Sequence, residues 1–303
     1  MAKICCLIKI KWLTVIFFCF RGDDFRPAFG KIKEITALFS APIIVLTATA
    51  TLKTRKFIIE KLELNDPTII IANPDRPNIF YSKEERLPSM DTLDDLDRIL
   101  TSIGDELRLL RRTYPLTIVY TDLETISYCY KFLDNYLGVD QYVGEHIAKN
   151  RIFAQYHHYY SDSMKDIIIK DICSTDPVIG VVFATIAMGM GLDAKNVRKI
   201  IHFKPPTTLE KYLQETGRAG RDGYYAEVIL YYNNTDIRVN RPGIQKALIN
   251  YCRSYDICLR SQLLSHLSYK INTNTPEYFL CRCCSVCKKK CDCGLCAEPY
   301  TEE

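Results

Sequence analysis

Residues 199–232 read KIIHFKPPTTLEKYLQETGRAGRDGYYAEVILYY, and this stretch decides the fold. It opens on a branched apolar run, Lys199 to Phe203, that reads as a buried strand. Pro205 and Pro206 break that run, and a helix follows from Leu209 to Glu215 before a second strand from Ala226 to Tyr232. A strand, a helix and a strand in succession imply a parallel pair, because parallel strands need a long crossover that a helix supplies.

The same alternation continues outward. Ile43 to Thr47 reads as a strand and Leu52 to Leu64 as an amphipathic helix. A helix from Thr92 to Arg111, a strand from Thr117 to Tyr120, helices from Leu123 to Tyr136 and Ser163 to Cys173, and a strand from Val178 to Thr185 lead into the opening unit. The expected fold is therefore α/β, a doubly wound parallel sheet. Asn73 to Asn78, with Pro74 and Pro77, suits neither element and reads as a linker between lobes. Past Pro242 the pattern turns helical, from Ile244 to Tyr251 and Ile257 to Leu267, and ends in cysteines. These shifts divide the chain at 1–72, 73–238 and 239–303.

A length of 303 residues, 48% hydrophobic and 25% charged, fits about two domains by the usual size of roughly 150 residues each. It excludes disordered and collagen-like classes. The net charge of +4 permits a polyanionic partner without requiring one. Near the N-terminus an apolar stretch, broken by Lys9 and Lys11, is too short to span a bilayer. It runs into Arg21, Asp23 and Asp24 without a small-residue cleavage site, so a buried strand is preferred to a signal peptide.

Gln214-Glu215-Thr216-Gly217-Arg218-Ala219-Gly220-Arg221-Asp222-Gly223 carries the chemistry. Gly217, Gly220 and Gly223 permit close backbone approach, and two guanidinium forks three residues apart can bind phosphate and stabilise charge on a transferred phosphoryl group. The competing reading pairs Arg218 and Arg221 with Glu215 and Asp222 on a surface. With Thr185, Met188, Gly189, Met190, Gly191 and Asp193 before it, the string resembles motifs VI and V of RecQ-family superfamily 2 helicases. Leu46 to Thr51 resembles motif III, Asp75 to Asn78 the family's Arg-Pro-Asn signature, Thr117 to Tyr120 motif IV, and Asp24 to Pro27 the end of the aromatic-rich loop.

The resemblance implies RecA-like lobes that close on ATP and walk 3′ to 5′ along single-stranded and forked DNA, in the nucleus. In this chain it implies a remnant of the first lobe, the helicase C-terminal lobe and a small helical zinc-binding subdomain. Arg218 and Arg221 would be catalytic; Gln214, Gly217, Gly189, Gly191 and Asp193 would bind ATP or couple to it; Thr47, Thr49, Thr185 and Lys165 would meet DNA. His202 matches a recurrent position whose role is read as structural. Tyr156 to Tyr160, an aromatic run, could stack on bases, although ordinary packing is the preferred reading.

Of fourteen cysteines, seven fall between Cys281 and Cys296, a clustering that favours metal over disulfides. Cys281, Cys284 and Cys287, spaced by two residues, with Cys258 upstream, supply four thiolates for structural Zn2+. Cys283 is an alternative third ligand and Cys252 an alternative first, while Cys291, Cys293 and Cys296 are unassigned. The set resembles the RecQ zinc pattern, with Leu259 in place of an arginine. A thiolate site saturated by protein leaves no open position for water, which argues against a zinc enzyme.

No Gly-x-x-x-x-Gly-Lys-Ser/Thr string and no Asp-Glu-x-His string occurs, so the residues that would hold the β and γ phosphates and Mg2+ are not found. The expectation is that ATP and Mg2+ are not bound by this chain alone, and that it is inactive by itself. A DNA-binding remnant with a structural zinc site is the alternative.

Overall fold

The computed structural model describes residues 14–17, 43–46, 51–86, 94–185, 188, 194–269 and 281–292. They fall into two units, one of Met1–Asp75 with Leu263–Asn272, the other of Arg76–Gln262 with Thr273–Glu303.

In the first unit β1 (Thr14–Phe17) pairs in parallel with β2 (Ile43–Leu46). β1 lies within the N-terminal apolar stretch. Thr51 then starts α1 (Leu52–Lys61) by accepting a hydrogen bond from the Thr54 amide at 3.1 Å, which satisfies a donor that has no partner inside the helix. Ile58 and Leu62 turn inward on Val45.

The second unit is built on β3 (Ile79–Glu85), α2 (Asp94–Leu110), β4 (Thr117–Tyr120), α3 (Leu123–Leu137), β5 (Phe153–Tyr156), α4 (Asp162–Ile172), β6 (Val181–Ala184), β7 (Lys199–His202), α5 (Leu209–Thr216), β8 (Ala226–Tyr232), α6 (Lys246–Arg253), α7 (Leu259–His266) and α8 (Ser285–Lys289). Its six strands are all parallel, in the order β3-β8-β7-β4-β6-β5. Every residue of β4 and β6 is buried, as expected of strands covered on both faces. The apolar stripes of α2 (Leu96, Leu100, Leu107) and α3 (Ile126, Leu133) close over Val119, Val181 and Phe183.

Two strands were not legible in the alternation. β3 lies between the expected linker, which ends at Asn78, and the helix expected from Thr92, in a stretch assigned to no element, and its charged second half, Lys83 to Glu85, hides it. It is stabilised along its whole length by β8, from Ile79 opposite Ala226 to Glu85 opposite Tyr232. β5 has one fully buried residue, Phe153, and is an edge strand with too little apolar periodicity to detect.

From β4 the chain moves outward to β5, returns through β6 and crosses to β7 on the other side of β4. Strand order therefore reverses between β4 and β7, and a crevice opens beyond their carboxyl ends. Tyr120, Thr121, Asp122, His202, Lys204 and Glu215 line a cavity of about 170 Å³ there. Among the described residues no helix is long and apolar enough to cross a membrane.

Candidate functional site

The crevice positions α5, the helix that delivers the arginine-bearing string. His202, at the end of β7, stacks on Tyr120 at 5.2 Å and lies 5.0 Å from the Tyr212 ring. Its Nε2 lies 2.8 Å from Glu215 Oε2, and both side chains are almost wholly buried. Buried polar groups must be paired, so this contact ties the last turn of α5 to the strand end and fixes where the helix exits at Gly217. The structural reading of His202 agrees with this place.

Arg218 follows and is 7% exposed, while Arg221 is half-buried. Both lie near the Tyr120 phenol: burial pushes its pKa well above the usual range, and the Arg218 and Arg221 charges pull the other way. The two acids of the string each have a partner outside it. Glu215 bonds His202, and Asp222 pairs with Arg198, whose Nη1 donates to Oδ1 at 3.1 Å.

The loop between the arginines is clamped by the Arg-Pro-Asn segment. Arg76 Nη2 donates to the carbonyl oxygens of Ala219 at 3.0 Å and Gly220 at 2.5 Å. Asn78 Nδ2 donates to Gly220 O at 2.9 Å and Tyr224 O at 2.8 Å. Gly220 has φ +51, and a Cβ there would stand 2.5 Å from Asn78 Nδ2 and 2.6 Å from Tyr224 O. Only glycine combines that backbone with that closeness. The clamp was not deduced from the sequence, because hydrogen bonds from side chains to a carbonyl more than 140 positions away leave no local pattern.

The other expected residues are less gathered. Thr185 leaves the end of β6, its amide donating to Tyr156 O at 3.1 Å. Lys165 donates to His158 O at 3.0 Å and Asp162 Oδ1 at 3.1 Å, in the turn that opens α4. Gln214 is half-buried on α5. Thr47, Thr49, Gly189, Gly191 and Asp193 lie outside the described residues. In the aromatic run, His157 and Tyr160 form a tilted pair at 5.4 Å, and Tyr159 is exposed.

Cys258, Cys283, Cys284 and Cys287 converge, with their sulfurs all within 4.8 Å of one another. Cys258 Sγ stands 3.6 Å from that of Cys283 and 3.8 Å from that of Cys284. Four sulfurs about 2.3 Å from one zinc at tetrahedral angles would stand about 3.8 Å apart, so the donor set and spacing fit a structural metal ion. The set expected from the sequence was Cys258, Cys281, Cys284 and Cys287, with Cys283 as an alternative; the convergent group has Cys283 and not Cys281. Cys283 takes that place, and buried Cys281 lies outside the group. Cys252 is also outside it, its thiol pushed up to about 12 by burial. Cys293 and Cys296 lie outside the described residues.

With this geometry in place, comparison with known proteins gives a consistent answer. The helicase conserved C-terminal domain matches residues 109–223. The ATP-dependent helicase SGS1 of Saccharomyces cerevisiae is 28% identical over 93% of this chain and 18% of its own length. The ATP-dependent DNA helicase RecQ of Pasteurella multocida is 34% identical over 71% of this chain and 30% of its own. The RecQ-like DNA helicase BLM of Xenopus laevis is 29% identical over 81% of this chain and 18% of its own. The chain thus spans less than a third of these relatives. Among solved structures, S. cerevisiae Dbp5 bound to RNA and ADP BeF3 has a TM-score of 0.55 at 15% identity, covering 73% of this chain and 53% of that one, which shows a shared fold. Since the domain match ends on the arginine loop, and the bacterial and frog relatives are RecQ and RecQ-like helicases, the chain belongs to the RecQ family of superfamily 2 helicases.

Proposed function

We propose that this chain supplies the arginine-bearing lobe of an ATP-driven helicase that moves 3′ to 5′ on single-stranded and forked DNA, in the nucleus. The observation that carries the reading is the arginine loop, held at the carboxyl ends of the central strands by Arg76, Asn78 and the His202 to Glu215 contact. In this reading Arg218 and Arg221 meet negative charge on a nucleotide γ-phosphate, with Gln214, Gly217, Gly189, Gly191 and Asp193 linking that face to the DNA face. Thr47, Thr49, Thr185 and Lys165 contact the DNA backbone. Zn2+, held by Cys258, Cys283, Cys284 and Cys287, staples the small segment around them, supplying cross-links where little core is available. The domain division is proposed at 1–72, 73–238 and 239–303.

Charge stabilisation is useless without the phosphate cradle, so the chain alone is expected to turn over no ATP. Joined behind the first lobe of the Pasteurella multocida relative, it should show DNA-stimulated phosphate release. Arg218→Ala or Arg221→Ala should then lower that rate by roughly 10³-fold or more. A chimera that hydrolyses ATP equally well with either arginine removed would refute the assignment. A chain that binds a single-stranded oligonucleotide but never supports hydrolysis would favour the DNA-binding remnant.

A further inference from the structure

We infer that the cysteine cluster sets the position of the arginine loop through the segment Arg76 to Tyr81, with Arg76 and Asn78 as positioning residues. The inference rests on the metal-binding and arginine-loop parts of the reading above.

Residues 76–81 are held from two sides. On one side stand the ligand-bearing segments. Tyr81 N donates to Cys283 O at 3.2 Å, and Tyr81 forms a parallel bridge with Cys284, so the cysteine turn adds itself to the edge of β3. Arg260, two positions past Cys258, is 7% exposed and donates to the carbonyls of Pro77 at 3.1 Å and Ile79 at 2.6 Å. Three of the four convergent cysteines therefore belong to segments whose neighbouring groups grip these few residues.

On the other side stands the loop. Arg76 and Asn78 give four hydrogen bonds to Ala219, Gly220 and Tyr224, and the Ala226 amide donates to Asn78 O at 3.0 Å. Pro77 removes a donor and stiffens the backbone between the two anchors. A displacement of β3 caused by releasing the thiolates therefore moves the donors that define the Gly220 turn. The loop has further contacts of its own, among them Gly220 N donating to Val197 O at 2.8 Å and the pairing of Asp222 with Arg198. Local openings of this kind involve few groups and are free to occur without global unfolding.

The test is hydrogen exchange read by mass spectrometry on the whole purified chain, with zinc content measured in parallel. Asn78→Asp keeps the side chain's size and removes both donors. With one zinc per chain retained and the melting temperature near that of the parent, residues 217–225 should exchange at least tenfold faster, while 117–120 and 181–184 stay protected. Chelation of the parent chain should reproduce that pattern together with loss of protection at 281–291. A loop that exchanges at the parent rate in Asn78→Asp overturns the positioning role. Chelation that deprotects 281–291 and leaves 217–225 unchanged, or that deprotects the entire sheet, overturns the coupling. Absence of zinc in the protein defeats the metal reading separately, and the Asn78→Asp arm then decides the positioning claim alone.

Discussion

Gly220 illustrates how much one backbone position carries. A methyl group there meets Asn78 and the Tyr224 carbonyl at under 3 Å, in a conformation that favours glycine. Gly220→Ala is expected to cost about 1–3 kcal/mol in urea unfolding, a larger loss than at Gly223, where φ is +92 and the space is open. Equal effects at both would mean strain alone matters. Asp122 is a second single-residue case. It caps α3 by accepting from Thr125 N at 2.9 Å and pairs with Lys204. Burial alone would raise its pKa, but hydrogen bonds from Lys204 and Thr125 outweigh that and hold it below the usual carboxylate value. A depressed folded pKa contributes stability that is full above the unfolded value of about 4 and is lost as pH falls through the folded one. Asp122→Asn keeps the cap and should flatten the stability loss between pH 5 and pH 3 (about the carboxylate range); an unchanged slope in unfolding titrations would show the pair does not matter.

At the scale of elements, β6 is the test of whether the sheet is a core or a shell. Val181, Val182, Phe183 and Ala184 are all fully buried, and Phe183 packs into the cluster that α2 and α3 close. Phe183→Ala should destabilise the second unit by about 3–5 kcal/mol, read as a shift of the denaturant midpoint without a change in slope. A cost below about 1 kcal/mol would imply that the helices collapse onto the space and that packing there is loose. The short α5 presents the opposite case: eight residues are too few to be stable on their own, and the His202 to Glu215 contact supplies the tertiary anchor.

At the scale of the molecule, the question is how far a metal stabilises a unit that already has a large core. Binding that favours the folded state adds about 2.7 kcal/mol at a hundredfold excess over Kd. Chelation should therefore lower the melting temperature of the second unit by several degrees, and added zinc should restore it, as followed by calorimetry. A melting temperature indifferent to chelator would mean that the four convergent thiols contribute only as packed side chains.

The parallel α/β architecture was legible because its evidence is local: branched apolar runs at Thr117 to Tyr120 and Ala226 to Tyr232 fall on β4 and β8 with the same ends. The arginine string was legible for the same reason, since its glycines and guanidinium groups are contiguous. The fourth sulfur was not. Cys281 and Cys283 are equally cysteine, and only the backbone path into α8 decides which one meets Cys258. Nor were β3 and the clamp made by Arg76 and Asn78, because a strand with a charged half and a donor serving distant carbonyls acquire meaning only once β8 and the arginine loop stand beside them. Periodicity and spacing report what neighbours in the chain do together; partners far apart in the chain are chosen by tertiary packing, and that is where the site acquires its geometry.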